Sequence, residues 1–391
     1  MDEYRRERVR RLQEHVGELG LDAMLVTSRD AIFYLSGASY DPVERPFLII
    51  VRPEGIPSLV VPRLEAEHMA KVEGFGEIRH YFEYPSIPGQ NWYDFLAKDL
   101  GVDVRLGIEP SLPTAYRELI RARETVIVDY IDVMRLVKDP SEIEAIRLAS
   151  TWTDEGMRML HEGLYRGQSV VESTMYARDI QTGVIKTTPY NYMTSSFLTA
   201  AWPAPKSSQP HSLPDLSMRM GDGPIVLMSF NRVNGYAAEN ERTVFLGEPS
   251  QRDVELFEAM LEARRIAYSM VRPGTRCADI DLATQDFFRS LGYGDAIRHR
   301  TGHGIGLGNH EAPSLSAGGD HVLEENMVIS IEPAIYFDEI GGFRHSDTVL
   351  VTRDGYEDLT HYPTDLEHLV VTDRRALKQA KGAVIRKAIN L

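Results

Sequence analysis

Residues 300–313 read Arg300-Thr301-Gly302-His303-Gly304-Ile305-Gly306-Leu307-Gly308-Asn309-His310-Glu311-Ala312-Pro313, and nowhere else in the chain do two histidines and four glycines gather so tightly. Glycine at alternate positions makes a poor helix and a poor core strand; it suits backbone that bends or lies close against something bound. His303 and His310 are seven residues apart, too far for one metal-binding helical turn and suited to the two sides of a bend. The stretch gains chemical meaning only if other polar residues gather round it.

At 391 residues the chain is long enough for two or three domains. Its 43% hydrophobic and 26% charged residues suit a globular protein with a core. A formal net charge of −15, with no long basic run, argues against a general nucleic-acid binder, which needs basic patches to displace phosphate counterions. The single cysteine, Cys277, excludes internal disulfides and a thiolate metal cluster; it reads as a buried helix residue in a reducing compartment. The charged, amphipathic N-terminus lacks the apolar core of a signal peptide, and no apolar run reaches the ~18 residues of a membrane span. These features predict a soluble cytoplasmic protein with no membrane partner.

From Arg5 to Leu19, apolar Val9, Leu12, Val16 and Leu19 recur at helical steps, and Gly20 ends the pattern. Strands are predicted at 23–27, 46–51, 58–61, 105–108 and 125–128, in one α/β domain of residues 1–134. Pro140 then disfavours helix before it, while Ser141 with Glu144 reads as a capping box. A second, α+β domain is placed at 135–391. Helices are expected near 141–163, 168–183, 251–271 and 278–291, and strands near 223–231, 234–246, 327–336 and 343–352.

The residues suited to chemistry fall within that second domain. His211 lies in a loop rich in proline and serine. Glu239 and Glu241 share one face of a predicted strand. His303 and His310 flank the glycine run. Glu332 interrupts the apolar strand Met327-Val328-Ile329-Ser330-Ile331, where a carboxylate needs a partner or a metal, and Arg344-His345-Ser346-Asp347 precedes another strand. Tyr192, Phe197 and Trp202 lie in an aromatic region suited to a pocket wall.

Thr301-Gly302-His303-Gly304-Ile305-Gly306 with His310-Glu311, then Ile331-Glu332-Pro333, then Gly342-Phe343-Arg344, resemble the pita-bread hydrolases, the family of methionine aminopeptidase, Xaa-Pro aminopeptidase, prolidase and creatinase. Ile32-Phe33-Tyr34-Leu35-Ser36-Gly37 is similar to the creatinase/prolidase N-terminal domain, so the resemblance covers essentially the whole chain. It implies an α+β architecture: an N-terminal creatinase/prolidase-like α/β domain, then a pita-bread domain with a curved, mainly antiparallel sheet. It also implies a homodimer.

The resemblance implies two divalent metals held by two aspartates, a histidine and two glutamates. Here His303 and Glu332 match, and Glu239 stands for the second aspartate. The first aspartate falls on Met228 and the last glutamate on Ser346, so no cofactor is expected. The alternative is one ion such as manganese or cobalt on Glu239, His303 and Glu332, with His345 or Asp347 replacing a lost ligand. The pattern is closest to the metal-free creatinase type, where His211 is acid/base, Glu241 and Glu332 clamp the substrate, His303 and His310 form a hydrogen-bonding wall, and Arg344 pairs with a carboxylate. Tyr192, Phe197, Trp202, Glu239 and His345 are expected to touch substrate. The function expected is hydrolysis of a C–N bond in a small polar metabolite; the alternatives are a metal-dependent Xaa-Pro peptidase and a non-catalytic binding module.

Overall fold

The apolar stripe of the first helix, Glu3–Glu18, is the face that packs inward: Val9, Leu12 and Val16 are buried. The computed structural model of the chain describes residues 2–40, 43–76, 78–372 and 376–388. The chain divides into a unit of residues 1–135 and one of residues 136–391. The first unit is built on β1 (Ala23–Val26), β2 (Leu48–Val51), β3 (Ser58–Pro62), β4 (Arg79–Tyr81), β5 (Arg105–Ile108) and β6 (Glu124–Ile127), in the order β4-β3-β2-β1-β5-β6. All four residues of β1 and of β2 are buried, as expected of strands covered on both faces. Among the described residues no helix is long and apolar enough to cross a membrane.

The second unit carries a curved, mainly antiparallel sheet. Its strands are β7 (Ser196–Trp202), β8 (Ile225–Val233), β9 (Tyr236–Leu246), β10 (Gly302–Gly304), β11 (Glu311–Leu315) and β12 (Val328–Ile331). A separate pair, β13 (Ala334–Phe337) and β14 (Gly341–Arg344), follows, and then β15 (Ser346–Thr352), β16 (Gly355–Asp358) and β17 (Val370–Val371). The main path runs β11-β10-β12-β15-β9-β8-β7, with β16 on β15 and β17 on β9. Two expected strands are each broken in two. Pro333, which has no N–H to give a ladder, follows the end of β12, and His345 separates β14 from β15.

Helix Pro140–Gly163 packs across β8 and β9, burying Ile146, Ala149, Met157 and Leu160. Its cap is Asp139, not Ser141 as the sequence suggested. The Asp139 side chain accepts from the backbone of Ser141 and Glu142, Glu142 reaches back to the Asp139 N–H, and Pro140 takes the first helical position where no N–H is needed. The helix expected over 168–183 is two, Val170–Thr174 and Tyr176–Thr187.

The glycine run is not a loop throughout. Gly302–Gly304 form a buried strand between β11 and β12, contrary to the expectation from glycine's poor strand propensity. The reason is space: a Cβ on Gly302 would overlap the Ser330 carbonyl oxygen, and one on Gly304 the Ala312 carbonyl oxygen. Only a residue without a side chain lets three strands approach this closely. Gly304→Ala is expected to destabilise the protein by about 3 kcal/mol, the upper end of overpacking effects. Denaturant unfolding within about 0.5 kcal/mol of the parent would show that the backbone yields instead.

Candidate active site and cation site

Strand alternation on β9 sorts its polar residues onto two faces. Glu239 and Glu241 point one way, with Phe230 and Met228 opposite them on β8. Asn240 and Arg242 point the other way: Asn240 donates to Asp154 (2.8 Å) and Arg242 to Asp347 (2.8 Å). On the first face the sheet walls a cavity of about 530 Å³, lined among others by His211, Glu239, Glu241, His303, His310, Glu332 and Arg344. Trp202, Leu198, Met228 and Phe230 make its apolar side.

The two histidines do lie on two sides of a bend, with ring centroids 3.9 Å apart. A buried ion pair holds that bend: Lys138 Nζ donates to Glu311 Oε1 (3.0 Å), while Glu311 Oε2 accepts from the Gly308 N–H (3.1 Å). Ser346 donates to Glu239 Oε1 (2.7 Å), and the Arg344 guanidinium bonds Glu241.

Burial disfavours charge on all three carboxylates. It holds Glu241 up at about 8 even with Arg344 alongside, and it raises Glu239 against the pull of His303. At Glu332 the same burial is overcome by contact with His303, which draws it down to about 2. For His303, burial opposes charge but Glu239 and Glu332 lift it to about 9. His310 is pushed down to about 4 by burial and by the positive charge of His303.

His303 Nδ1 lies 3.1 Å from the Gly304 carbonyl, which can only accept, so Nδ1 is the donor. Nε2 then faces Glu332 Oε1 at 3.3 Å and Glu239 Oε1 at 3.6 Å, buried and without a hydrogen bond among the described residues. Lone pairs gathered in this way call for a cation between them, a proton or a metal ion. Glu239, His303 and His310 offer ligand atoms within 4.8 Å of one another, so one divalent ion fits. His310 joins this set unanticipated as a ligand. For a second ion the donors are poorer, because Met228 offers a thioether and Ser346 a hydroxyl already given to Glu239.

Three residues expected at the substrate do not line the cavity. Tyr192 is 73% exposed outside it. Phe197 packs on Tyr190, because alternation along β7 gives the inner face to Leu198, Ala200 and Trp202. His345 is buried edge-on to Phe257, with centroids 5.2 Å apart. Nor does Asp347 replace a lost ligand: it is bound by Arg242, Arg264 and Thr360 on the opposite face. The sequence reading missed His299 and Arg300, which line the cavity beside the glycine run. His299 Nδ1 donates to the Arg300 carbonyl (2.7 Å), leaving Nε2 to accept from Tyr336 Oη (2.7 Å). Their adjacency to the glycine run was the only signal.

A curved antiparallel sheet with carboxylates and histidines converging on its inner face defines a pita-bread hydrolase. The chain belongs to metallopeptidase family M24, which residues 144–353 match, and residues 8–139 match the creatinase/prolidase N-terminal domain. It is 29% identical over 374 residues to an Xaa-Pro dipeptidase of Lactobacillus helveticus, covering 93% of this chain and 99% of that one. An Xaa-Pro dipeptidase of Pyrococcus horikoshii is 30% identical over 370 residues, covering 92% and 98%. The solved prolidase from Pyrococcus horikoshii OT3 matches with a TM-score of 0.79 at 29% identity, covering 92% of this chain and 99% of its own. The expected closeness to the metal-free creatinase type is not supported, since these relatives are dipeptidases by name, and the expected lack of a metal is unsupported with it.

Proposed function

We propose that the chain hydrolyses the C–N bond of a small peptide-like substrate of the Xaa-Pro class, with one divalent ion held by Glu239, His303 and either His310 or Glu332. The observation that carries this reading is the His303 Nε2 lone pair facing two carboxylates on the wall of a cavity. When bound, the ion supplies Lewis-acid chemistry at that point. Cavity size and lining support the substrate class: the apolar wall of Leu198, Trp202 and Phe230 suits a proline ring, and Arg344 and the carboxylates opposite suit the polar ends of a short peptide. His211, exposed and lining the cavity, is the acid/base that passes a proton to the leaving nitrogen as water adds to the carbonyl carbon and the C–N bond breaks. The named function of the relatives supports the same class.

The reading carries a homodimer, as the family resemblance implies, in a reducing cytoplasm that suits the one buried cysteine, Cys277. Light scattering that finds a monomer at working concentration would count against the dimer.

Proline release from a panel of Xaa-Pro dipeptides, measured before and after dialysis against chelator, tests the whole. Activity lost on chelation and restored by manganese or cobalt is expected. Activity that survives complete removal of metal would favour acid/base catalysis by His211 alone, and no release from any dipeptide would overturn the substrate class.

A further inference from the structure

The two positions without a carboxylate lie on either side of one residue of the sheet. Met228 lies opposite Glu241 across β8 and β9, and Ser346 lies opposite Glu241 across β15 and β9. Both therefore flank the one glutamate that is tied to Arg344. That arginine is 5% exposed. Its Nη2 bonds Glu241 Oε1 and lies 3.6 Å from Met228 Sδ, and its Nη1 donates to Tyr336 Oη (2.9 Å). The tyrosine is fixed in turn, since its hydroxyl proton goes to His299 Nε2. The guanidinium is thus a cation held from several sides beside the place where anionic ligands are missing.

Charge settles what such a site can hold. Glu239, Glu241 and Glu332, all ionised, bring at most three negative charges to the cavity, and Arg344 offsets one. One divalent ion neutralises the remaining two. A second would leave an excess of two positive charges in a buried pocket, with a thioether and a hydroxyl as its new ligands, neither of which a hard dication favours.

We propose that this site carries one divalent ion and not a pair, the positive charge of the second being supplied by the Arg344 guanidinium. The proposal rests on the single-ion reading of the function above. It differs from the ligand set that the family resemblance implies, and it makes Glu241 the partner of an internal cation, not of a metal.

The test is the count of manganese bound by the full-length protein, by equilibrium dialysis with elemental analysis, together with the manganese electron-spin resonance spectrum. One equivalent with the spectrum of an isolated ion is expected. Two equivalents, or an exchange-coupled spectrum, would overturn the proposal, whereas none would overturn the single-ion reading of the function and the proposal with it. Restoring both carboxylates, Met228→Asp with Ser346→Glu, should add a second equivalent; a folded double variant that still binds one would show that ligand loss is not what limits the count. Arg344→Gln should tighten binding of the first ion by about tenfold or more, because a nearby positive charge is removed. Binding weakened or unchanged would show that Arg344 acts only as a scaffold and would sink its role as the second cation. If either variant does not fold, the count in the unaltered protein still decides.

Discussion

His303→Ala should lower turnover by about 10³-fold, within the range of a lost proton-transfer or ligand group, and in the same protein remove stoichiometric manganese binding. The expectation follows from Nε2, which lies within 3.6 Å of both Glu239 and Glu332 and has no hydrogen-bond partner among the described residues. Without the imidazole the two carboxylates would face each other with nothing positive between them. Turnover within tenfold of the parent, with manganese still bound, would refute the assignment. The ion-free parent carries a further signature. His303 is lifted to about 9 by Glu239 and Glu332 against the opposing effect of burial, so folding favours its protonated form. The stabilisation is complete below its ordinary value near 6.5 and is lost as pH rises through about 9. The melting temperature of chelated protein should fall over that interval, and by more than that of His303→Ala, in which Glu241, held up at about 8 by burial, still titrates there.

Asp347→Ala is expected to destabilise the protein by about 4 kcal/mol, the cost of stranding buried charge when one member of a pair is removed. Asp347 is 1% exposed and receives Arg242, Arg264 and Thr360. Arg242 is as deeply buried, and its remaining contacts are backbone carbonyls. Urea unfolding gives the figure directly. At a temperature where the variant stays folded its turnover should lie within about threefold of the parent, because Asp347 does not line the cavity. A variant as stable as the parent would mean that water, or for Arg264 the nearby Asp358 carboxylate, takes over the arginines.

Much of this was legible because it depends on local rules. Alternation alone placed Glu239 and Glu241 on one face, and the glycine run with two histidines pointed to a bend that brings the rings together. What escaped depends on contacts distant in sequence. Propensity rejects Gly302–Gly304 as a strand, and only the neighbouring Ser330 and Ala312 carbonyls explain why glycine is the residue that fits there. His345 sits among residues of the site in sequence, yet it lies between Arg344 and Ser346, which bond Glu241 and Glu239, and packs on the other side against Phe257. His299 has no spacing signature; its partner Tyr336 is 37 residues away. Met228 and Ser346 could be seen as departures, but not that both border Glu241 and its arginine.

The two-faced strand β9 has a reading frame. Deleting one residue just before Glu239 would carry Asn240 and Arg242 to the substrate side and press Glu241 into the space beside Asp154 and Thr243 into that beside Asp347, exchanging chemistry for structure along the rest of the strand. Substitutions are gentler, because each touches one face. Libraries built on Glu239 and Glu241 should therefore explore reactivity and those on Asn240 and Arg242 robustness, with little traffic between the two, while a change of length here disturbs both faces at once.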